Sequence, residues 1–128
     1  TFFCALILVH LSDAKVQKFI FIIMIASTPK PPYYAVIFST IRTNVDEGYT
    51  ETAIRMEVLA KQQAGYLGIE SARSEIGITV SYWKSLDAIM KWRNNVEHTI
   101  EREKGKALWY QKYQLRICKV ERDYGFEK

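Results

Sequence analysis

The chain's 128 residues, 48% hydrophobic and 25% charged, suit one domain with a real core, leave no room for two of ordinary size, and exclude a largely disordered chain. The formal charge of +4 does not make a nucleic-acid binder, because from Lys84 onward the basic residues alternate with Asp87, Glu97, Glu101, Glu103, Glu121 and Asp123 in place of a one-signed stripe. The two cysteines, Cys4 and Cys118, stand far apart with no CxxC or Cys/His cluster beside either, which speaks against a disulfide framework or a zinc site and fits a reducing, cytoplasmic setting.

Residues 1–29 divide into TFFCALILVHL, a polar interruption SDAKVQK, and FIFIIMIAST. Each apolar run is shorter than the roughly 20 residues that cross a bilayer. The uncharged start TFF lacks the positive opening of a signal peptide. The sequence does not open on Met, and from Met24 it would read as a short polar leader before a proline-marked strand. Residues 1–23 are therefore expected to lie upstream of the working domain. The rival reading is a membrane-associated or partner-binding leader over residues 1–27. Pro29, Pro31 and Pro32 form a stiff linker that continues neither helix nor sheet. The expected division is an apolar leader and linker, 1–32, and a domain, 33–128.

Residues 33–41, YYAVIFSTI, have the aromatic and β-branched composition of a largely buried strand. Asp46 is placed to cap a helix over 46–64, in which Tyr49, Ala53, Met56, Leu59 or Ala60, and Gln63 share one face and Gly65 supplies a left-handed stop. YLGIESAR and ITVSYW alternate as two strands, with Leu67 and Ile69 apolar in the first and Ile78, Val80 and Tyr82 in the second. The short glycine-containing link between them predicts an antiparallel hairpin. Ser85 can cap a second helix with Asp87 in its first turn; Ala88, Ile89, Trp92, Val96, Thr99 and Ile100 follow on one face, and Asn94-Asn95 can divide it in two. From Trp109 a last strand alternates on Tyr113, Leu115 and Ile117 and then changes phase to Cys118 and Val120, the mark of a bulge or of a change in packing environment.

The order β-α-β-β-α-β defines an α+β, ferredoxin-like domain, an antiparallel sheet with helices on one face. The first strand is apolar in both phases, Tyr34, Val36 and Phe38 against Ala35, Ile37 and Ile41, so the second sheet face needs a cover as well. A twin sheet from a second copy of the chain is the economical one.

YYAVIFSTIRT, GYLGIESAR, GITVSYWKSLDAIMKWRNNVEH and WYQKYQLRICKVERDYGF closely resemble the antibiotic biosynthesis monooxygenase (ABM) family of the dimeric α+β barrel superfamily, over residues 33–126. The most diagnostic parts are the SAR after the first helix, the SYW with its S-x-x-A-I-x-x-W helix start, and the WYxxYxxRIxxVER run. The resemblance implies a homodimer with a pocket in each subunit between helices and sheet, and oxidation of a small aromatic or quinol-like compound by dioxygen without metal or flavin. Other relatives degrade haem, using an asparagine on the first strand, a tryptophan on the second helix and a histidine ten residues later. Trp92 matches that tryptophan. Phe38-Ser39 stand at the asparagine position, however, and Arg102 stands ten residues on, with His98 the one histidine nearby.

The residues themselves show no dinucleotide-binding glycine motif, no P-loop, no carboxylate-histidine metal set and no nucleophile elbow, so no cofactor and no metal is expected. Oxidation would then use the substrate's own enolate or phenolate as electron donor, as the resemblance implies, with the protein supplying a dry cavity, a base and anion-stabilising donors. His98 is the candidate catalytic base, since imidazole titrates near neutrality; between Glu97 and Thr99, and off the Trp92 line by its spacing, it also reads as a solvated helix residue. Trp92, Phe38, Tyr113 and Trp109 are the candidate substrate-pocket residues. Trp92 also fits a plain core tryptophan, and Trp109, Tyr110 and Tyr113 also fit dimer packing, while Trp83 at a strand-helix junction is expected to pack. Arg73 and Arg116 can clamp an anionic substrate or stand as salt-bridged surface residues. A non-catalytic small-molecule or haem-binding protein on the same dimeric barrel is the alternative function.

Overall fold

The computed structural model describes residues 8–13, 16–21 and 24–128. Two strands, β1 (Leu8–Asp13) and β2 (Val16–Phe21), pair antiparallel as a two-stranded sheet of their own. Cys4 falls outside the described residues. The main sheet is built from β3 (Tyr33–Arg42), β4 (Tyr66–Arg73), β5 (Gly77–Trp83) and β6 (Tyr110–Val120), in the order β4-β5-β3-β6 with every pairing antiparallel. Helices α1 (Tyr49–Lys61), α2 (Leu86–Arg93) and α3 (Val96–Lys104) complete the β-α-β-β-α-β order, the second helical connection being divided. This is the expected ferredoxin-like α+β fold. Among the described residues no helix is long and apolar enough to cross a membrane.

Helix α1 buries Tyr49, Ala53, Met56 and Ala60 as its spacing requires, and also Glu57, whose carboxylate pairs with Lys61 at 3.1 Å. It is shorter than expected. Asp46 is not its side-chain cap: the helix opens after Gly48, held at φ 77°, and the Asp46 carboxylate is drawn instead to Arg42 at 3.1 Å. Gly65 does adopt the left-handed region, at φ 84°, in the turn between α1 and β4, where a Cβ would also lie 2.6 Å from that of Ala88.

Residues opposite one another in the ladders share a sheet face. On the helix-covered face the rows run Tyr66, Trp83, Tyr34, Lys119; then Ile69, Ser81, Val36, Ile117; then Ser71, Thr79, Phe38, Leu115; and last Arg73, Gly77, Thr40, Tyr113. The phase of β5 is thus the reverse of a simple hydrophobic reading. Its polar residues Thr79 and Ser81 are fully buried under the helices, and its apolar Ile78, Val80 and Tyr82 lie on the other face with Ala35, Ile37 and Ile41. The bulge anticipated at Ile117–Cys118 lies elsewhere: β6 keeps one register from Lys112 to Val120, and the shift falls where Ile41 and Arg42 meet Lys112 and Tyr110. Cys118 and Val120 simply belong to the second face.

One end of that second face is covered by the segment before β3. Ala26 donates its N–H to Glu70 Oε2 at 2.9 Å, and its methyl group leaves no space for a Cβ on Gly68. Thr28 Oγ1 donates to the Tyr33 hydroxyl at 3.0 Å, which in turn donates to Asp123 at 2.6 Å. The apolar surface beyond, at Ile41 and Ile78, is exposed.

Candidate functional site

The centre of the helix–sheet layer is a stack of three rings. Trp83 closes β5 and donates its indole N–H to Ser81 Oγ at 2.9 Å; Trp92 of α2 stacks on it with centroids 6.1 Å apart; His98 of α3 stacks on Trp92 at 4.2 Å and 9°. All three are buried, His98 to 0% exposure and Trp92 to 1%. The expectation that His98 stands in solvent, or off the Trp92 line, fails for a definite reason. In one continuous helix, residues six apart point to different sides. Here α2 stops at Asn94, Asn95 turns the chain in an extended conformation, and its Oδ1 caps α3 by accepting the His98 N–H at 3.1 Å. That break folds His98 back onto Trp92. Past it His98 is buried, while Ile100, expected on the inner face, is exposed.

His98 Nδ1 lies 2.9 Å from the Trp92 carbonyl oxygen. A carbonyl can only accept, so Nδ1 carries a proton. A base in this position is oriented by its own helix junction.

The other candidates meet beside Tyr49, the first residue of α1. Phe38 and Tyr113 face each other at 5.4 Å, with Tyr110 edge-on to Phe38 at 5.6 Å. Trp109 ends the π-helical turn Gly105–Trp109 that follows α3; it packs edge-on against Tyr49 at 5.9 Å and donates its indole N–H to the Glu47 carbonyl at 3.0 Å. Phe38, Trp92 and Trp109 belong to one core cluster with Tyr113 packed against it, so the pocket candidates occupy a single layer. Burial, and secondarily the neighbouring Tyr49, push the Tyr110 hydroxyl far above the usual phenol range, so it acts as a neutral donor. The Arg42 guanidinium lies 3.4 Å over the Tyr49 ring.

The two arginines separate. Arg116 lies on the second sheet face opposite Ile37 and is exposed. Arg73 turns to the helix side and is only partly exposed; its guanidinium crosses Gly77 and donates to Thr40 Oγ1. Reading residue types alone passed over Gly77, Thr40 and Thr79. The available signal was a strand that begins with glycine and buries hydroxyls in one phase. Among the described residues no group of three or more His, Cys, Asp or Glu is placed to hold a metal ion. A separate open groove of about 280 Å³ lies between Lys30–Pro31 and the chain after β6, at residues 121–124.

The chain is 51% identical over 106 residues to the uncharacterized protein YqjZ of Bacillus subtilis (strain 168), a match spanning 81% of this chain and 93% of YqjZ. It belongs to the YqjZ family. No family model matches the chain. Among solved structures it is similar to SnoaB, described as a cofactor-independent oxygenase from Streptomyces nogalater, with a TM-score of 0.63 at 9% identity over 73% of this chain and 97% of SnoaB. It is similar to Rv0793 of Mycobacterium tuberculosis, with a TM-score of 0.63 at 12% identity over 73% and 99% of the two chains. A protein of Nitrosomonas europaea provisionally named an antibiotic biosynthesis monooxygenase gives 0.59 at 10% identity over 77% and 96%. At such identities the likeness is one of fold: the YqjZ-type chain has the fold of ABM-type monooxygenases.

Proposed function

We propose that this YqjZ-family protein is a cytoplasmic, homodimeric ABM-type monooxygenase that oxidises a small aromatic or quinol-like molecule with dioxygen and no cofactor. The fold it shares with a cofactor-independent oxygenase supports this reading. The observation that carries it is His98, a histidine buried among aromatic rings with one nitrogen anchored to a backbone carbonyl. A fully buried histidine is an unusual choice for packing alone, since an apolar ring would stack there without a polar nitrogen to satisfy. Its Nε2 is the base that would take the proton of a phenol or activated CH group.

The deprotonated substrate then supplies the electrons. For an activated methylene the balance is one methylene and one dioxygen giving one ketone carbonyl and one water: both C–H bonds are oxidised, one oxygen atom enters the carbonyl and the other leaves as water. Phe38 and Tyr113 offer ring surface, and a dry layer strengthens every donor that faces the developing oxyanion. Oxygen uptake by metal-stripped protein on a panel of quinols, anthrones and polyphenols tests the reading. Stoichiometric uptake with at least one of them is expected; no uptake across the panel removes it.

A further inference from the structure

The last row of the helix-covered face holds a cation with no counter-charge paired to it among the described residues. Arg73 comes from the edge strand β4, yet its side chain does not turn outward. It lies across β5 where residue 77 is glycine; a Cβ there would fall inside the guanidinium. One terminal nitrogen reaches Thr40 on β3, and Nε is buried with no hydrogen-bond partner among the described residues. None of the ion pairs among the described residues includes Arg73. One row further in, Thr79 is 0% exposed and its hydroxyl has no partner among the described residues either.

Burying a guanidinium edge and a hydroxyl unmatched costs stability for each group, more for a charged one. Two such groups on neighbouring strands, at adjacent rows of one face, are complementary to a single oxygen-bearing anion. Tyr113 ends the Arg73 row and Phe38 stands in the Thr79 row, so an aromatic wall adjoins the cation. The Tyr110 hydroxyl lies in the field of both Arg73 and Arg42.

We propose that Arg73 and Thr79 form an oxyanion-recognition site, and that the molecule bound in this layer is an aromatic compound carrying a phenolate or carboxylate, its ring against Phe38 and Tyr113. This deepens the monooxygenase reading by naming the charge of the substrate, and rests on that reading only for the step that follows binding. A phenolate held by Arg73 is the form that gives up an electron to dioxygen; on a carboxylate-bearing compound the carboxylate serves for binding, and His98 still has to remove the proton at the reacting position.

Binding separates the two claims. The intact protein would be titrated at mildly alkaline pH with 4-nitrophenolate, 4-nitrobenzoate and uncharged 4-nitrobenzamide, three ligands of one ring size. At least one anion should bind about tenfold or more tightly than the amide, the difference a charge-assisted hydrogen bond provides. Arg73→Gln should erase that preference while amide affinity and the circular dichroism spectrum stay unchanged, and Arg73→Lys should restore part of it. Thr79→Val should weaken anion binding a few-fold and raise the unliganded melting temperature. Equal affinity for amide and anions, or a preference that survives Arg73→Gln, overturns the site. Anion preference in a protein that consumes no oxygen on any quinol removes the monooxygenase and leaves the site standing.

Discussion

His98 bears on stability and proposed chemistry at once, and its contacts allow the two to be separated. Because it is fully enclosed and stacked on Trp92, His98→Ala should cost about 3 kcal/mol, the range of a large-to-small core change, so lost turnover in that variant alone would prove little. His98→Phe keeps a flat ring on Trp92. It removes the hydrogen bond to the Trp92 carbonyl, but that oxygen also accepts the Asn95 N–H at 3.1 Å and is not left bare. The expected cost is about 1 kcal/mol in urea unfolding, with oxygen consumption abolished; a His98→Phe variant that turns over normally would exclude His98 as the base. Tyr66 offers a second test at this scale. Burial, with Glu57 adding to it, pushes its hydroxyl up to about 12, above the ordinary 10 of an unfolded tyrosine. The folded state therefore holds this proton where the unfolded state has lost it, so the stabilisation is intact below pH about 10 and drains away as pH rises towards 12. Urea midpoints should fall across that window, and Tyr66→Phe should fall less steeply.

The junction between α2 and α3 is where local sequence decides the site. Asn95→Ala removes the side-chain acceptor for the His98 N–H and should destabilise by about 1 kcal/mol, as should Ser85→Ala, which removes the cap of α2 held by the Ala88 N–H at 3.0 Å. The two caps differ in what they position. Only Asn95→Ala should perturb the near-ultraviolet circular dichroism of the stacked tryptophans and, with it, turnover; equal spectra for the two variants would mean that the cap does not set His98. Element order was legible because it rests on short-range signals: the aromatic and β-branched run of β3, the 3.6-residue stripe of α1, the glycine-bearing link before β5. The asparagine pair even marked the helix break. What stayed hidden depends on geometry across elements. Helical spacing placed His98 away from Trp92, since the angle the chain takes at Asn95 is not written in either helix's periodicity. The strand ITVSYW has apolar residues in one phase and hydroxyls in the other, and alternation alone assigns the apolar phase to the helices. The opposite holds because Trp83 and the rows beside it pack the hydroxyl side under α2. For the same reason Arg73 reads as a surface residue until Gly77 is seen to give it a path inward.

At the scale of the whole molecule, that reversed phase of β5 has a consequence. A β-strand with Ile78, Val80 and Tyr82 on the face away from its own helices leaves apolar area that is unfavourable to keep in water, and Ile37 and Ile41 of β3 lie beside them. Ile78 is 45% exposed, and beyond β6 the chain carries Tyr124 and Phe126, both largely exposed. A second copy meeting this face by a two-fold axis would cover sheet and tail together, the self-complementary arrangement in which each subunit gives what it receives. Stable interfaces bury about 1,600 Å² in total, which calls for most of such a sheet face and not for one or two side chains. A single charge at its apolar centre should therefore be decisive. Light scattering of the unaltered protein should give twice the 14.9 kDa chain mass, and Ile78→Glu should give one chain mass with its own fold retained, because the side chain makes no part of the buried core. Ile100→Glu, on the outer side of α3 and 54% exposed, adds the same charge away from this face and should leave the dimer intact. A monomeric unaltered protein, or dissociation by both substitutions alike, would refute the sheet-to-sheet dimer. Loss of the dimer with the Arg73 anion preference unchanged would show that each subunit carries a complete site.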